Sequence, residues 1–109
     1  MQALATRFPN LNLTVSREWV NPPMNENPGG EWIKICQDVS ASLELPTGTH
    51  KLSTSTEASL FQQAGYESVV VGPGSALGNI HGPNESVSLA QLELALNFYE
   101  RLVERVCCV

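Results

Sequence analysis

The sequence predicts an α/β layered fold, and three observations lead there. Near the start, Leu11, Leu13 and Val15 alternate with Asn12, Thr14 and Ser16, the period of two that puts one face of a strand on a core. Further on, the continuous run Val69-Val70-Val71 follows a segment with helix signals at both ends, as in a strand of a parallel sheet covered on both faces. The chain then closes on a long amphipathic helix. Helix and strand therefore alternate, which is the order that layers helices on a sheet.

Each element has its own justification. Gln2 to Phe8 reads as the end of a short helix, broken by Pro9-Asn10. Leu11 to Val20 is the half-exposed strand. "NPPMNENPGG", residues 21–30, carries three prolines and two glycines and reads as a linker crossing between two domains. Trp32, Ile35, Cys36, Val39 and Leu43 recur at helical spacing, and Pro46-Thr47-Gly48 is expected to end that helix. A short extended piece surrounds Lys51-Leu52. In "TSTEASLFQQAG", Thr54 and Glu57 fit a capping box and Gly65 a C-terminal cap. In the last helix Ser88 is placed to cap, with Gln91 at the third position. Leu92, Ala95, Leu96, Tyr99, Leu102, Val103 and Val106 form its apolar stripe, opposite Glu93, Asn97, Glu100, Arg101, Glu104 and Arg105.

Composition narrows the function. A chain of 109 residues is one small domain's worth, and 42% apolar against 16% charged residues is the balance of a folded chain. With a net charge of −5 and only six scattered Lys and Arg, nothing resembles a basic track for phosphates, so nucleic acid is not an expected partner. No apolar run approaches the roughly 20 residues that span a bilayer, so no membrane association is expected. Cys36, Cys107 and Cys108 form no even framework and suit a reducing, cytoplasmic setting.

The segment most suggestive of chemistry is "VVVGPGSALGNIHGPNESV", residues 69–87. It leaves the expected parallel strand at its carboxyl end, where open α/β sheets place ligands. Gly72, Gly74, Gly78 and Gly82 permit close backbone approach, and Pro73 and Pro83 stiffen the loop. A stiff loop presenting one imidazole, His81, suits a zinc site, although zinc takes three or four ligands. On the residues alone, a single loop histidine such as His81 is more often a surface residue than a ligand, by roughly three to one; the glycines read also as turn formers, and Glu57 equally as a cap. His50 lies in a polar turn and reads as a surface residue.

Residues 56–104, "TEASLFQQAGYESVVVGPGSALGNIHGPNESVSLAQLELALNFYERLVE", resemble the carboxyl-terminal part of a zinc-dependent amidohydrolase and exopeptidase family. Acetylornithine deacetylase, succinyl-diaminopimelate desuccinylase, aminoacylase and carboxypeptidase G belong to it. The resemblance rests on Thr-Glu-Ala, Gly-Pro-Gly-Ser, His-x-Pro-Asn/Asp-Glu and the closing helix, and is nearest to the acetylornithine deacetylase branch. It implies that residues 23–109 are the carboxyl-terminal portion of a catalytic domain, helices on a mainly parallel sheet, preceded in residues 1–22 by the end of an α+β lid that forms a homodimer contact. It implies Zn2+, one or two ions per site with cobalt or manganese as alternatives, and His81 as a metal ligand. Thr56, Glu57, Gly72, Gly74 and Ser75 are implied to lie beside the substrate, an N-acyl amino acid or small peptide. Glu85 belongs to the motif without an assigned role. The family's other ligands and its catalytic glutamate correspond to segments before Met1, so no catalytic residue is expected within this chain. The expectation is a carboxyl-terminal fragment that is inactive alone and needs the missing amino-terminal part of the enzyme. The alternative is a non-catalytic interaction or dimerisation module, pairing through the edge of Leu11 to Val20.

Overall fold

Among the described residues three helices are set out: α1 (Glu31–Ser42), α2 (Ala58–Gln63) and α3 (Leu89–Cys107). The structure, a computed structural model, describes residues 6–8, 10, 14, 16, 20–27 and 29–108. Thr6 and Arg7 are helical, and the rest of the expected first helix up to Ala5 lies outside the described residues. So does most of the expected strand Leu11–Val20, of which Thr14, Ser16 and Val20 are exposed.

α1 is capped from a distance. Gly30 is its N-cap, extended at φ −62° and ψ 150°, and has no side chain to offer. The Glu67 carboxylate substitutes, accepting from the Trp32 N–H at 2.7 Å and from Asn27 Nδ2 at 3.1 Å. A β-carbon at Gly30 would stand 2.6 Å from Glu67 Oε1, so the glycine keeps the cap's space open. The helix stops before Pro46. Leu43, expected as its last apolar residue, is instead the C-cap. Glu44 follows at φ +56°; its N–H donates to Ala41 O (3.1 Å) and that of Leu45 to Ser40 O (2.9 Å). This is a Schellman ending, which satisfies the terminal carbonyls earlier than the proline could act.

The expected capping box is corrected as well. α2 begins after Glu57, whose side chain makes no capping bond, and Thr56 Oγ1 accepts from the Ala58 N–H at 3.3 Å. Thr54 is too far upstream for this short helix. Its other end agrees with expectation: Gly65 takes φ +90°, with its N–H on Gln62 O (3.0 Å) and that of Tyr66 on Phe61 O (3.0 Å). The Ser88 cap of α3 is also present, its Oγ accepting from the Gln91 N–H at 3.1 Å.

Helices α1 and α3 pack together around Cys36, Val39 and Phe98, with Trp32, Leu43, Leu45, Val69 and Leu102 at the margin. Arg105 Nη2 meets Asp38 Oδ2 at 3.2 Å beside this contact. The stripe expected on α3 divides here. Of its residues only Ala95 and Leu102 turn inward, beside Phe98, which the expected stripe omitted, while Leu92, Leu96, Tyr99, Val103 and Val106 are exposed. The helix face touching α1 is rotated from the apolar maximum of the sequence.

No strand occurs among the described residues. Val69 packs half-buried on the core, but Val70 and Val71 are 51% and 44% exposed rather than covered on both faces. An extended segment becomes a sheet strand only beside another, and the described residues supply no second strand. The Val71 carbonyl accepts instead from Tyr99 Oη at 3.0 Å. What stands within these residues is a helical assembly with an extended segment at its edge.

The described part of the expected linker is tied down at several points. Ser59 Oγ lies 2.8 Å from Asn21 Oδ1 and 3.0 Å from the Thr56 carbonyl, sharing one proton between them. The Asn25 N–H donates to Gln62 Oε1 (2.9 Å) while Gln62 Nε2 donates to Asn25 O (3.0 Å). Lys51 Nζ meets Glu26 Oε1 at 2.9 Å. Residues 21–27 thus dock along α2 through polar side chains, which a composition rich in proline and glycine does not announce.

Candidate functional site: the glycine-rich and histidine loops

The two loops between Val71 and Val87 are built from backbone turns that few residues tolerate. Tyr99, reaching from α3 to the Val71 carbonyl, anchors where the first begins. Gly72 lies beneath that phenol, where a β-carbon would stand 3.8 Å from Tyr99 Oη. Gly74 takes φ +101°, so a side chain there is strained whatever the space. Gly72, Gly74 and Ser75 are all exposed.

The second loop carries His81. Gly78 turns at φ +70°, His81 itself at φ +58° and Asn84 at φ +62°. Left-handed backbone is uncommon outside glycine, and Asn and His are among the residues that bear it best. One side chain closes the loop: Asn79 Nδ2 donates to Ser86 O at 2.7 Å, and the Ser86 N–H donates to Asn79 Oδ1 at 3.0 Å. His81 is exposed, and no described residue hydrogen-bonds to its ring.

Thr56 and Glu57 stand apart from these loops. Thr56 is half-buried and engaged by Ala58 and Ser59, while Glu57 is exposed at the start of α2. Among the described residues no hydrogen bond or ion pair joins this step to the glycine-rich loop or to His81. The roles expected for Thr56, Glu57, Gly72, Gly74 and Ser75 are not brought to one point by those bonds. A recess of about 340 Å³ lies elsewhere, between α1 and α3, lined by Asp38, Val39, Ser42, Arg101, Glu104 and Arg105. It holds a cross-helix ion pair and none of the expected site residues.

The donor set answers what the chain could hold. Among the described residues no group of three His, Cys, Asp or Glu is placed to bind a metal ion. His81 fits zinc as a single donor, since an exposed imidazole is a normal zinc ligand, and further ligands must come from elsewhere. Cys36 is no substitute: burial pushes its thiol up, away from the reactive thiolate. No helix among the described residues is long and apolar enough to cross a membrane.

Sequence reasoning missed Asn79 and misplaced Tyr99. A loop asparagine two residues before the histidine was a signal, because its amide readily bonds nearby backbone. Tyr99 counted as core, yet a tyrosine in an apolar stripe seeks a partner for its hydroxyl.

Comparison with known proteins agrees with the loop motifs. A family model described as Peptidase family M20/M25/M40 matches residues 11–105. An N-acetyl-L-citrulline deacetylase of Xanthomonas campestris pv. campestris is 39% identical over 67 residues, which is 62% of this chain and 18% of that protein. The chain thus spans under a fifth of the length of the curated relative it matches. No solved structure matches the chain.

Proposed function

The chain belongs to peptidase family M20/M25/M40, and from that premise we propose that it is the carboxyl-terminal part of a zinc-dependent hydrolase that cleaves the amide bond of N-acyl amino acids or small peptides. The observation that carries this reading is His81, exposed within a clamped loop inside the matched segment. Bound zinc supplies Lewis-acid polarisation of the scissile carbonyl and a lower pKa for attacking water.

His81 would hold the metal through one imidazole nitrogen. Gly72, Gly74 and Ser75 shape a surface that a substrate backbone approaches closely. Thr56 and Glu57 line the substrate side from the start of α2. The remaining ligands and the general base are supplied by other parts of the complete protein, so the 109 residues alone are inactive. Residues 1–22 form the end of a lid with a dimer contact, and residues 23–109 the end of the catalytic domain. The free thiols of Cys36, Cys107 and Cys108 support a cytoplasmic setting.

The test is His81→Ala in the complete polypeptide. Zinc content and turnover of N-acetylornithine and N-acetylcitrulline both fall sharply; normal stoichiometry and turnover would overturn the assignment. A second reading, an interaction or dimerisation module derived from such an enzyme, is favoured by the apolar residues that α3 turns to solvent. It requires zinc-independent self-association by size exclusion and no hydrolysis by the complete polypeptide.

A further inference from the structure

We infer that Asn79 is a positioning residue for His81: its amide closes the 79–86 loop and thereby sets the backbone from which the imidazole is presented. This inference rests on the reading of His81 as a metal ligand. Two non-glycine residues within the 79–86 loop, His81 at φ +58° and Asn84 at φ +62°, occupy the left-handed region. Such conformations persist where the surroundings over-determine them, and they gather at ligand-holding sites.

The over-determining contact is visible. Asn79 uses both ends of its amide on one residue, donating to Ser86 O at 2.7 Å and accepting from the Ser86 N–H at 3.0 Å. The complementary pair of bonds fixes which way the amide faces. It also fixes the span that residues 80–85 must bridge, and Pro83 removes one further backbone freedom within it. His81 lies between the two ends of the clamp and has no side-chain bond to a described residue to orient it. The backbone sets the direction of the Cα–Cβ bond from which the ring is presented, and the Asn79–Ser86 clamp holds that backbone. Groups that orient a ligand without touching the metal typically alter affinity by 10- to 100-fold.

The experiment uses the complete polypeptide as wild type, Asn79→Ala, Asn79→Asp and His81→Ala. Zn2+ alone is the probe, its affinity measured by competition with a chelator. The His81 amide–Hα coupling and Cα shift report the backbone, and thermal unfolding reports stability. Asn79→Ala is expected to weaken Zn2+ about tenfold and move the His81 signals away from left-handed values, with little change in the thermal midpoint. Asn79→Asp keeps the acceptor for Ser86 N–H but sets an anion against Ser86 O. It is expected to act in the same direction, and it decides the question if the alanine variant does not fold. Wild-type affinity in both Asn79 variants, with affinity lost in His81→Ala, overturns the inference and leaves the ligand reading standing. Wild-type affinity in His81→Ala overturns the ligand reading and the inference with it. Weakened zinc binding with unmoved His81 signals overturns the positioning role.

Discussion

Single residues hold this chain's turns, and two make opposite predictions. Glu44 and Gly65 occupy equivalent positions after α1 and α2, at φ +56° and φ +90°. An L side chain in left-handed backbone costs roughly 1–2 kcal/mol, partly offset in glycine by a more flexible unfolded chain. Glu44→Gly should therefore stabilise the protein by about 0.5–1 kcal/mol. Gly65→Ala should destabilise it by about 1 kcal/mol, although nothing lies within 4 Å of the added carbon. Urea unfolding of the complete polypeptide checks both, and equal signs would refute the argument. Gly65 was legible in the sequence because glycine announces the conformation. Glu44 was not, because a helix-forming residue sits where only the Schellman geometry shows the need.

Caps decide where each element begins, and they differ in how local they are. Ser88 caps α3 from three residues away and was readable as such. Glu67 caps α1 from 35 residues away, a partnership that no local pattern reveals. Ser88→Ala and Glu67→Ala should each cost about 1 kcal/mol. Gly30→Ala should mimic the second, because its β-carbon displaces the Glu67 carboxylate from Trp32. The combined Gly30→Ala and Glu67→Ala variant should then cost scarcely more than either alone. Additive losses would show that Gly30 acts independently of the cap. The same long reach explains the linker: Asn25 and Gln62 recognise one another only once α2 lies beside residues 21–27.

At the scale of the molecule, the described residues bury little. The radius of gyration is 19.9 Å, whereas a compact domain of this length has about 13 Å. Phe98 is 3% exposed and Leu96, on nearly the opposite side of the same helix, 58%. Phe98→Ala should cost about 3–5 kcal/mol and separate α1 from α3, as read by circular dichroism in denaturant. Leu96→Ala should cost less than about 0.5 kcal/mol if that face meets only water. A loss above about 2 kcal/mol in the complete polypeptide would show the face covered by other protein.

The sequence by itself determined the three helices, the caps at Ser88 and Gly65, and the motifs that place the chain in its family. These depend on residues within a few positions of one another, or on order along the chain. Only the tertiary structure decided which face of α3 meets α1, that Glu67 caps α1, and that Asn79 holds the His81 loop shut. Rotating an amphipathic helix among similar apolar residues leaves its pattern unchanged. Pairing a side chain with one particular backbone group requires the folded chain to bring the two together.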